Sequence, residues 1–134
     1  MADTFWVEVV AADRSLWEGA ASQVLATTTE GQIGILAHHI PLISPLDAGL
    51  VEVTAADGQR HMFIADGGFV SVQATRVAVI APYAQWVKDI DVEEARRSLM
   101  DAQSKRDAGD NSVETQQQYR RAQAQVKAAE LHTA

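Results

Sequence analysis

Side chains that could do chemistry are few in this chain and scattered along it. His38, His39, His61 and His132 are its four imidazoles. His38 and His39 are adjacent, so in extended chain they point to opposite faces and cannot chelate one ion together. His61 falls in a strand-like run and His132 near the C-terminus. Zero cysteines exclude thiolate metal sites and disulfides, and suit a reducing compartment. Ser15, Ser44 and Ser71 lack the G-x-S-x-G surroundings of an activated nucleophile. No G-x-x-x-x-G-K loop ending in Ser or Thr is present, so there is no P-loop nucleotide site. Asp66-Gly67-Gly68 has the composition of a phosphate nest, but a β-bulge or tight turn is the simpler reading. Trp6, Trp17 and Trp86 lie in strand-like segments and read as core or interface positions. The formal charge of -7 argues against their stacking on nucleic acid, because phosphate binding needs excess Lys and Arg. The pairs Arg96-Arg97 and Arg120-Arg121 could meet an acidic partner. The preferred reading is a solvated helix face balanced by Glu93, Glu94 and Asp101. Nothing here assembles a catalytic centre or a metal site, and binding is the function class that remains.

The elements that would position these residues divide the chain in two. Up to residue 87 there are three arginines against nine acids, whereas residues 88–134 carry eight basic side chains against nine acidic ones. That shift predicts domains over 1–87 and 88–134. In the first, Thr4–Val10 alternates with period two, Ser22–Thr29 is rich in β-branched residues, and Leu50–Ala55 alternates again. Asp57-Gly58 is a hairpin signal, Arg60–Ala65 the return strand, and Phe69–Val72 with Arg76–Ala81 a further hairpin. Between them, Glu30–Leu50 combines Gly31, Gly34, Pro41, Pro45 and Gly49 with many aliphatic residues, which predicts a shaped, partly buried loop with short strand pieces. Short strands at close spacing predict a β-sandwich or barrel. No run of about twenty apolar residues offers a membrane span. The N-terminus shows no signal or transit pattern, so the expectation is a chain that is cytosolic as synthesised.

The second domain reads as an antiparallel helical hairpin. Asp91 can cap a helix with Glu94 as its capping-box partner and Ile90 in the staple position. Val92–Ala108 is free of Gly and Pro, Gly109 stops it, and Asn111 with Glu114 offers a second capping box for Ser112–Leu131. The expected inner faces are Val92, Ala95, Leu99, Met100 and Ala102 against Tyr119, Ala122, Val126, Ala129 and Leu131. Many are alanines, whose burial contributes far less than the roughly 1.5–3 kcal/mol of a large aliphatic side chain. The hairpin is therefore expected to detach from the sandwich at modest cost.

Four blocks of this chain resemble the epsilon subunit of the bacterial F-type, or rotary, ATP synthase. They are Val7–Gly19, Glu30–Leu42 (EGQIGILAHHIPL), Ala65–Val72 with Val77–Ala81, and the hairpin start at Ile90, Asp91 and Ala95. The resemblance covers essentially the whole chain. It implies an N-terminal β-sandwich followed by two α-helices, in a non-catalytic subunit of the central stalk. It further implies that the sandwich binds the gamma subunit and meets the ring of c subunits. The hairpin would fold against the sandwich or extend along gamma toward the alpha/beta catalytic head and inhibit ATP hydrolysis. Such a protein couples gamma to proton transport as part of the rotor, peripheral to the cytoplasmic face of the plasma membrane, and touches membrane only through the complex. By the same resemblance Gln32, His38 and His39 form the c-ring contact loop. Gln32 stands where many members carry Glu, Ala37 where proline is common, and His38 where a small residue is usual. Ile90, Asp91 and Ala95 match a motif that binds ATP in some members, but Glu94 occupies its arginine position. A carboxylate there repels phosphate, so weak or absent ATP binding is expected, and no cofactor. The alternatives are a free-standing regulatory adaptor of the same architecture acting on another partner, and a small enzyme with an unrecognised site.

Overall fold

The computed structural model describes residues 3–133. Among them eight strands come first: β1 (Phe5–Val10), β2 (Ser15–Thr28), β3 (Gly31–Leu36), β4 (Leu42–Ala55), β5 (Arg60–Asp66), β6 (Phe69–Val72), β7 (Arg76–Ile80) and β8 (Tyr83–Trp86). A single 3-10 turn, Val87–Asp89, leads to α1 (Val92–Asp107) and α2 (Val113–Thr133). The ladder runs β3-β2-β1-β7-β6-β4-β5-β8, and an additional β2–β4 pairing closes it on itself. Two strands make the closure possible because each is long enough to belong to both faces. The first half of β2 pairs with β1, and its second half with β3 and β4. The first half of β4 pairs with β6, and its second half with β5 and β2. Register shifts at Ala21/Gln23 and Ala26/Thr28 mark the corners, as expected where a strand changes sheets. Face one is thus β2-β1-β7-β6-β4, with β1 and β7 parallel, and face two is β3-β2-β4-β5-β8. Val7, Val9, Val24, Ile35, Val53, Phe63, Val70 and Val79 fill the space between them and are fully buried.

The strand expectations for Thr4–Val10, Leu50–Ala55 and the Asp57-Gly58 hairpin hold. Two boundaries differ. β2 begins at Ser15, seven residues before the expected Ser22. Gly19 does not break it, because the indole of Trp17 lies over that position, 3.0 Å from where a Cβ would stand. The Glu30–Leu50 segment is also more regular than a shaped loop. It is β3, a tip over 37–41, and the first half of β4, since alternating Ile33 and Ile35 pack inward while β3 pairs with β2 along its length. Asp66-Gly67-Gly68 is a turn. Gly68 sits at φ +76, where an added Cβ would lie 1.9 Å from the Ile80 carbonyl oxygen, so the turn packs backbone on backbone.

Asp91 caps α1 as predicted, accepting the Glu94 backbone N–H at 3.1 Å. Ile90 packs with Ile64, Val87 and Ala128. Gly109 (φ +95) ends α1 in a Schellman turn, with Gly109 N–H donating to Arg106 O and Asp110 N–H to Lys105 O. The second cap differs from expectation. Ser112, not Asn111, caps α2, its hydroxyl accepting the Thr115 N–H at 3.3 Å. The deciding residue is Asp110, whose carboxylate accepts the Ser112 N–H at 2.9 Å and the Thr115 hydroxyl at 2.8 Å. These bonds hold Asp110 below its usual carboxylate range. Asp101 is lowered too, by a hydrogen bond from Gln118 and the pairing with Lys105.

The two helices meet along an alanine seam. Ala95 and Ala102 on α1, and Ala122 and Ala129 on α2, are buried at seven-residue spacing on each helix. Met100 and Leu131, expected inside, are 72% and 53% exposed. The seam runs on the heptad stripe through Ala95 and Ala102, which carries Met100 to the outside.

Candidate functional site

The hairpin lies on the outer surface of face two, and α2 makes the contact. Three well-buried residues form the middle of this second cluster: Ile64 from β5, Val87 from the 3-10 turn and Ala128 from α2. Leu50, Met62, Tyr83, Ile90 and Ala124 surround them. Only Ile64 and Val87 are large aliphatics almost fully removed from water here; the others in the cluster are partly buried. A polar clasp lies beside it. The Arg121 Nε–H donates to Asp66 Oδ2 at 2.8 Å, across 55 residues of sequence. The same guanidinium stands 4.1 Å from the centre of the Tyr83 ring. Gln125 Nε2 donates to the Tyr83 hydroxyl at 3.0 Å, and that hydroxyl donates to Gln85 Oε1 at 2.9 Å. Arg121 therefore departs from the solvated reading of the Arg120-Arg121 pair. Arg96 keeps to that reading, with Glu93 and Glu130 as partners.

Several cavities border α2, and two of them reach the sandwich. One of about 270 Å³ lies on the α1 side and contains the hairpin-start motif: Ile90, Asp91, Glu94 and Ala95 line it with Asp89, Tyr83, Gln85, Ser98 and Gln125. Its lining has three carboxylates and no Lys, Arg or His. Asp91 is engaged as the helix cap and Ala95 is buried in the helix seam. This wall repels phosphate, through the Glu94 expected to do so and through two further acids. The other cavity, about 590 Å³, opens on the opposite flank between α2 and the β2/β3/β4 corner.

The three residues expected to share a contact loop do not lie on one loop. Gln32 is exposed near the start of β3 and lines the larger cavity, whereas His38 and His39 lie in the tip beyond the other end of that strand. The strand runs on from Gln32 to Leu36, roughly 13 Å, before the chain turns at Ala37 and His38. The two histidines diverge. The His38 ring pairs with Asp3 at 3.0 Å, and His39 Nδ1 contacts the Ile40 carbonyl at 2.7 Å. His38 adopts φ 67, a left-handed value uncommon outside glycine. Exposed Leu36 and Ile40 flank the histidines. No group of three or more His, Cys, Asp or Glu gathers for a metal ion among the described residues. No described helix is long and apolar enough to cross a membrane.

Face one is bare. Cross-strand register aligns Val10, Ile80, Phe69 and Pro45 in one row over β1, β7, β6 and β4. Their neighbours in sequence, such as Val9, Val79 and Val70, point into the core, so this row points outward. Trp6 and Ile43 add to it, at 41% and 73% exposed. Sequence reasoning missed this row and the Arg121 clasp alike. Period two marks which side of a strand is apolar, but not which strands lie next to one another.

The profile described as "ATP synthase, Delta/Epsilon chain, beta-sandwich domain" matches residues 4–87. An ATP synthase epsilon chain of Rhodococcus jostii is 45% identical over 97 residues, 72% of this chain and 80% of that one. The epsilon chain of Nocardia farcinica is 39% identical over 125 residues, 92% of this chain and 88% of that one. Among solved structures, a chain of the Euglena gracilis mitochondrial ATP synthase superposes with a TM-score of 0.82, over 96% of this chain and 82% of that one. At 24% identity that likeness speaks for the fold. The β-sandwich followed by a two-helix hairpin belongs, by these comparisons, to an accessory subunit. The chain belongs to the ATP synthase delta/epsilon family, as a subunit of the epsilon type and not a catalytic chain.

Proposed function

We propose that this protein is the central-stalk subunit that couples gamma to the c ring in a proton-translocating, bacterial F-type ATP synthase, and that its hairpin regulates ATP hydrolysis. The observation that carries this reading is the inequality of the two sandwich faces. Face two is covered by a hairpin held through a small apolar cluster around Ile64 and Val87, one ion pair and a Gln125–Tyr83 hydrogen bond. Face one leaves the Val10, Ile80, Phe69 and Pro45 row uncovered, with Trp6 and Ile43 beside it. An apolar strip of that kind marks a protein contact, and gamma is the partner assigned to it. The chain divides functionally at Val87 into an anchoring unit, 1–87, and a regulatory unit, 88–134. Gln32 and the His38-His39 tip are two contact points for the c ring along the free edge of β3. The subunit sits at the cytoplasmic face of the plasma membrane through the complex. ATP binding at the Ile90-Asp91-Ala95 remnant is weak or absent, because its cavity is acidic.

A docked hairpin held by a few kcal/mol is what a partner can displace. Moving a two-state equilibrium from 1:99 to 99:1 takes about 5.5 kcal/mol of differential binding. Alpha and beta, met by the extended hairpin, would supply it. The test is reconstitution of an epsilon-depleted catalytic complex with the full chain and with a version ending at Val87. Both should bind through gamma, and only the full chain should slow ATP hydrolysis. Binding without inhibition by either would leave a coupling role alone. No binding by either would favour an adaptor for another partner.

A further inference from the structure

β3 is an end strand of the ladder, and among the described residues no strand pairs with its outer side. Its sequence, GQIGIL over Gly31–Leu36, holds no charge and no proline, and its pairing with β2 runs without a register shift. Charges, prolines and bulges are the devices that keep an edge strand from pairing with another chain. The other end strand, β8, is guarded better: it is four residues long, follows directly on Pro82 and passes at once into the 3-10 turn. We propose that the outer edge of β3 is a site of homotypic strand pairing, at which a second copy of this chain adds its own β3, antiparallel, about a twofold axis at Gly34.

The pleat fixes the register. A twofold axis perpendicular to the sheet sets inward residues opposite inward residues, so one residue lies on the axis and its neighbours pair two by two. Ile33 and Ile35 pack toward the core, while Gln32 and Leu36 face outward and are exposed. An axis at Ile33 would set Gly31 opposite Ile35, but Gly31 holds φ +116, a turn conformation and not a strand one. An axis at Ile35 would set Ile33 opposite Ala37, past the end of the strand. The axis at Gly34 uses residues 32–36 of both copies. It places Ile33 opposite Ile35 of the second copy, Gln32 opposite Leu36 of the second copy, and glycine opposite glycine at the centre. Leu36, 58% exposed, then gains the aliphatic part of a glutamine beside it. No member of this ladder is charged, so neither copy brings a like charge against the other. That self-complementarity selects a second copy as the occupant.

The joined sheet runs β8-β5-β4-β2-β3 and then through the same strands of the second copy in reverse. So short a ladder buries less than the roughly 1,200 Å² of a stable interface, which makes the pairing weak and reversible. Each copy carries a formal charge of -7, so long-range repulsion opposes association and added salt relieves it. That dependence is the reverse of the one an interface of ion pairs would show. The same edge carries Gln32, assigned above to the c ring, so a paired copy is withheld from that contact. This consequence rests on the c-ring reading, whereas the pairing itself does not.

The test is sedimentation velocity of the full chain up to millimolar protein, at low and high sodium chloride. A monomer–dimer equilibrium that tightens with salt is expected. Leu36→Lys should weaken it about tenfold, by placing a charge on the edge, and Ile43→Lys on face one should leave it unchanged. The register is read by cross-linking, since the natural chain has no cysteine. Gln32→Cys and Leu36→Cys chains, mixed and mildly oxidised, should join through a disulfide. Gln32→Cys alone should not, because the two copies of that position stand four residues apart along the ladder, roughly 13 Å. A monomer at every concentration and salt, or a dimer lost in Ile43→Lys and kept in Leu36→Lys, would overturn the proposal. Joining of Gln32→Cys to itself without joining of the mixture would overturn the axis at Gly34. A disulfide-locked pair that binds purified c rings as well as the monomer does would refute the c-ring reading of this edge and leave the pairing standing.

Discussion

At the scale of single residues, the docked hairpin depends on Arg121 more than on any neighbouring arginine. Its carboxylate partner Asp66 is mostly shielded, at 14% side-chain exposure, while Arg121 itself is 37% exposed. A half-screened, charge-assisted bond with a ring contact is worth about 1–2 kcal/mol. Arg121→Gln should therefore raise the detached population about tenfold and speed exchange along α2 by that factor, with the β-strand amides unmoved. Arg120→Gln, with no partner to lose, should leave that exchange unchanged. Asp110 supports a prediction in pH. Its carboxyl is lowered in the folded chain below the ordinary value of 3.8, first by the Ser112 backbone N–H. A depressed carboxyl stabilises the fold above the unfolded pKa and loses that stabilisation as pH falls through the folded one. Acid titration followed by helical circular dichroism should show the hairpin loosening below the ordinary aspartate range. Asp110→Asn should be less stable at neutral pH and show a flatter acid limb.

At the scale of elements, the alanine seam and the docking cluster do different work. The stripe through Ala95, Ala102, Ala122 and Ala129 lets α1 and α2 approach closely, so the hairpin stays together as a unit. Attachment to the sandwich lies elsewhere, in Ile64, Val87 and Ala128. Ile64 is on the outer side of β5, back to back with inward-facing Phe63. Truncating a buried isoleucine costs about 2–5 kcal/mol in a closed core. Here the cost falls on docking, because detachment re-exposes the site in both variants. Ile64→Ala should release the hairpin as judged by exchange and by limited proteolysis within α2. The thermal midpoint of the strands should fall much less than for a truncation of Phe63.

At the scale of the whole molecule, the consequence is a choice between two arrangements of the same elements. The chain has zero cysteines, so a pair introduced at Asp66 and Arg121 would be the only thiols present. Joined by a short bifunctional reagent that replaces the length of the arginine, they should hold α2 on face two. In a reconstituted catalytic complex the bridged protein should bind as well as the unbridged one and lose its inhibition of ATP hydrolysis. The unbridged double variant should inhibit at least as strongly as the natural chain, since it has lost the clasp. Inhibition undiminished by the bridge would mean that the docked hairpin itself inhibits.

Local physics determined much of this protein from the sequence alone. Period-two alternation in Thr4–Val10 and Leu50–Ala55, the Asp57-Gly58 turn, the Asp91 cap and the Gly109 stop all act through neighbours a few residues away, and the structure keeps each of them. The alanines of the inner faces were legible for the same reason, whereas Met100 and Leu131, expected there too, lie outside. The span of β2 across Gly19 was decided by the Trp17 ring and by pairing with β1, and the cap of α2 passed from Asn111 to Ser112 because Asp110 faces it. Asp66 and Arg121 stand 55 residues apart, and neither has a local pattern that announces the other. The apolar row of Val10, Ile80, Phe69 and Pro45 exists only because β1, β7, β6 and β4 become neighbours in that order. Closure of the ladder through β2 and β4 chose which apolar side chains became core and which became surface. A chain specifies its local turns and periods residue by residue, but the pairing of distant strands is settled by the total area buried when the sandwich closes.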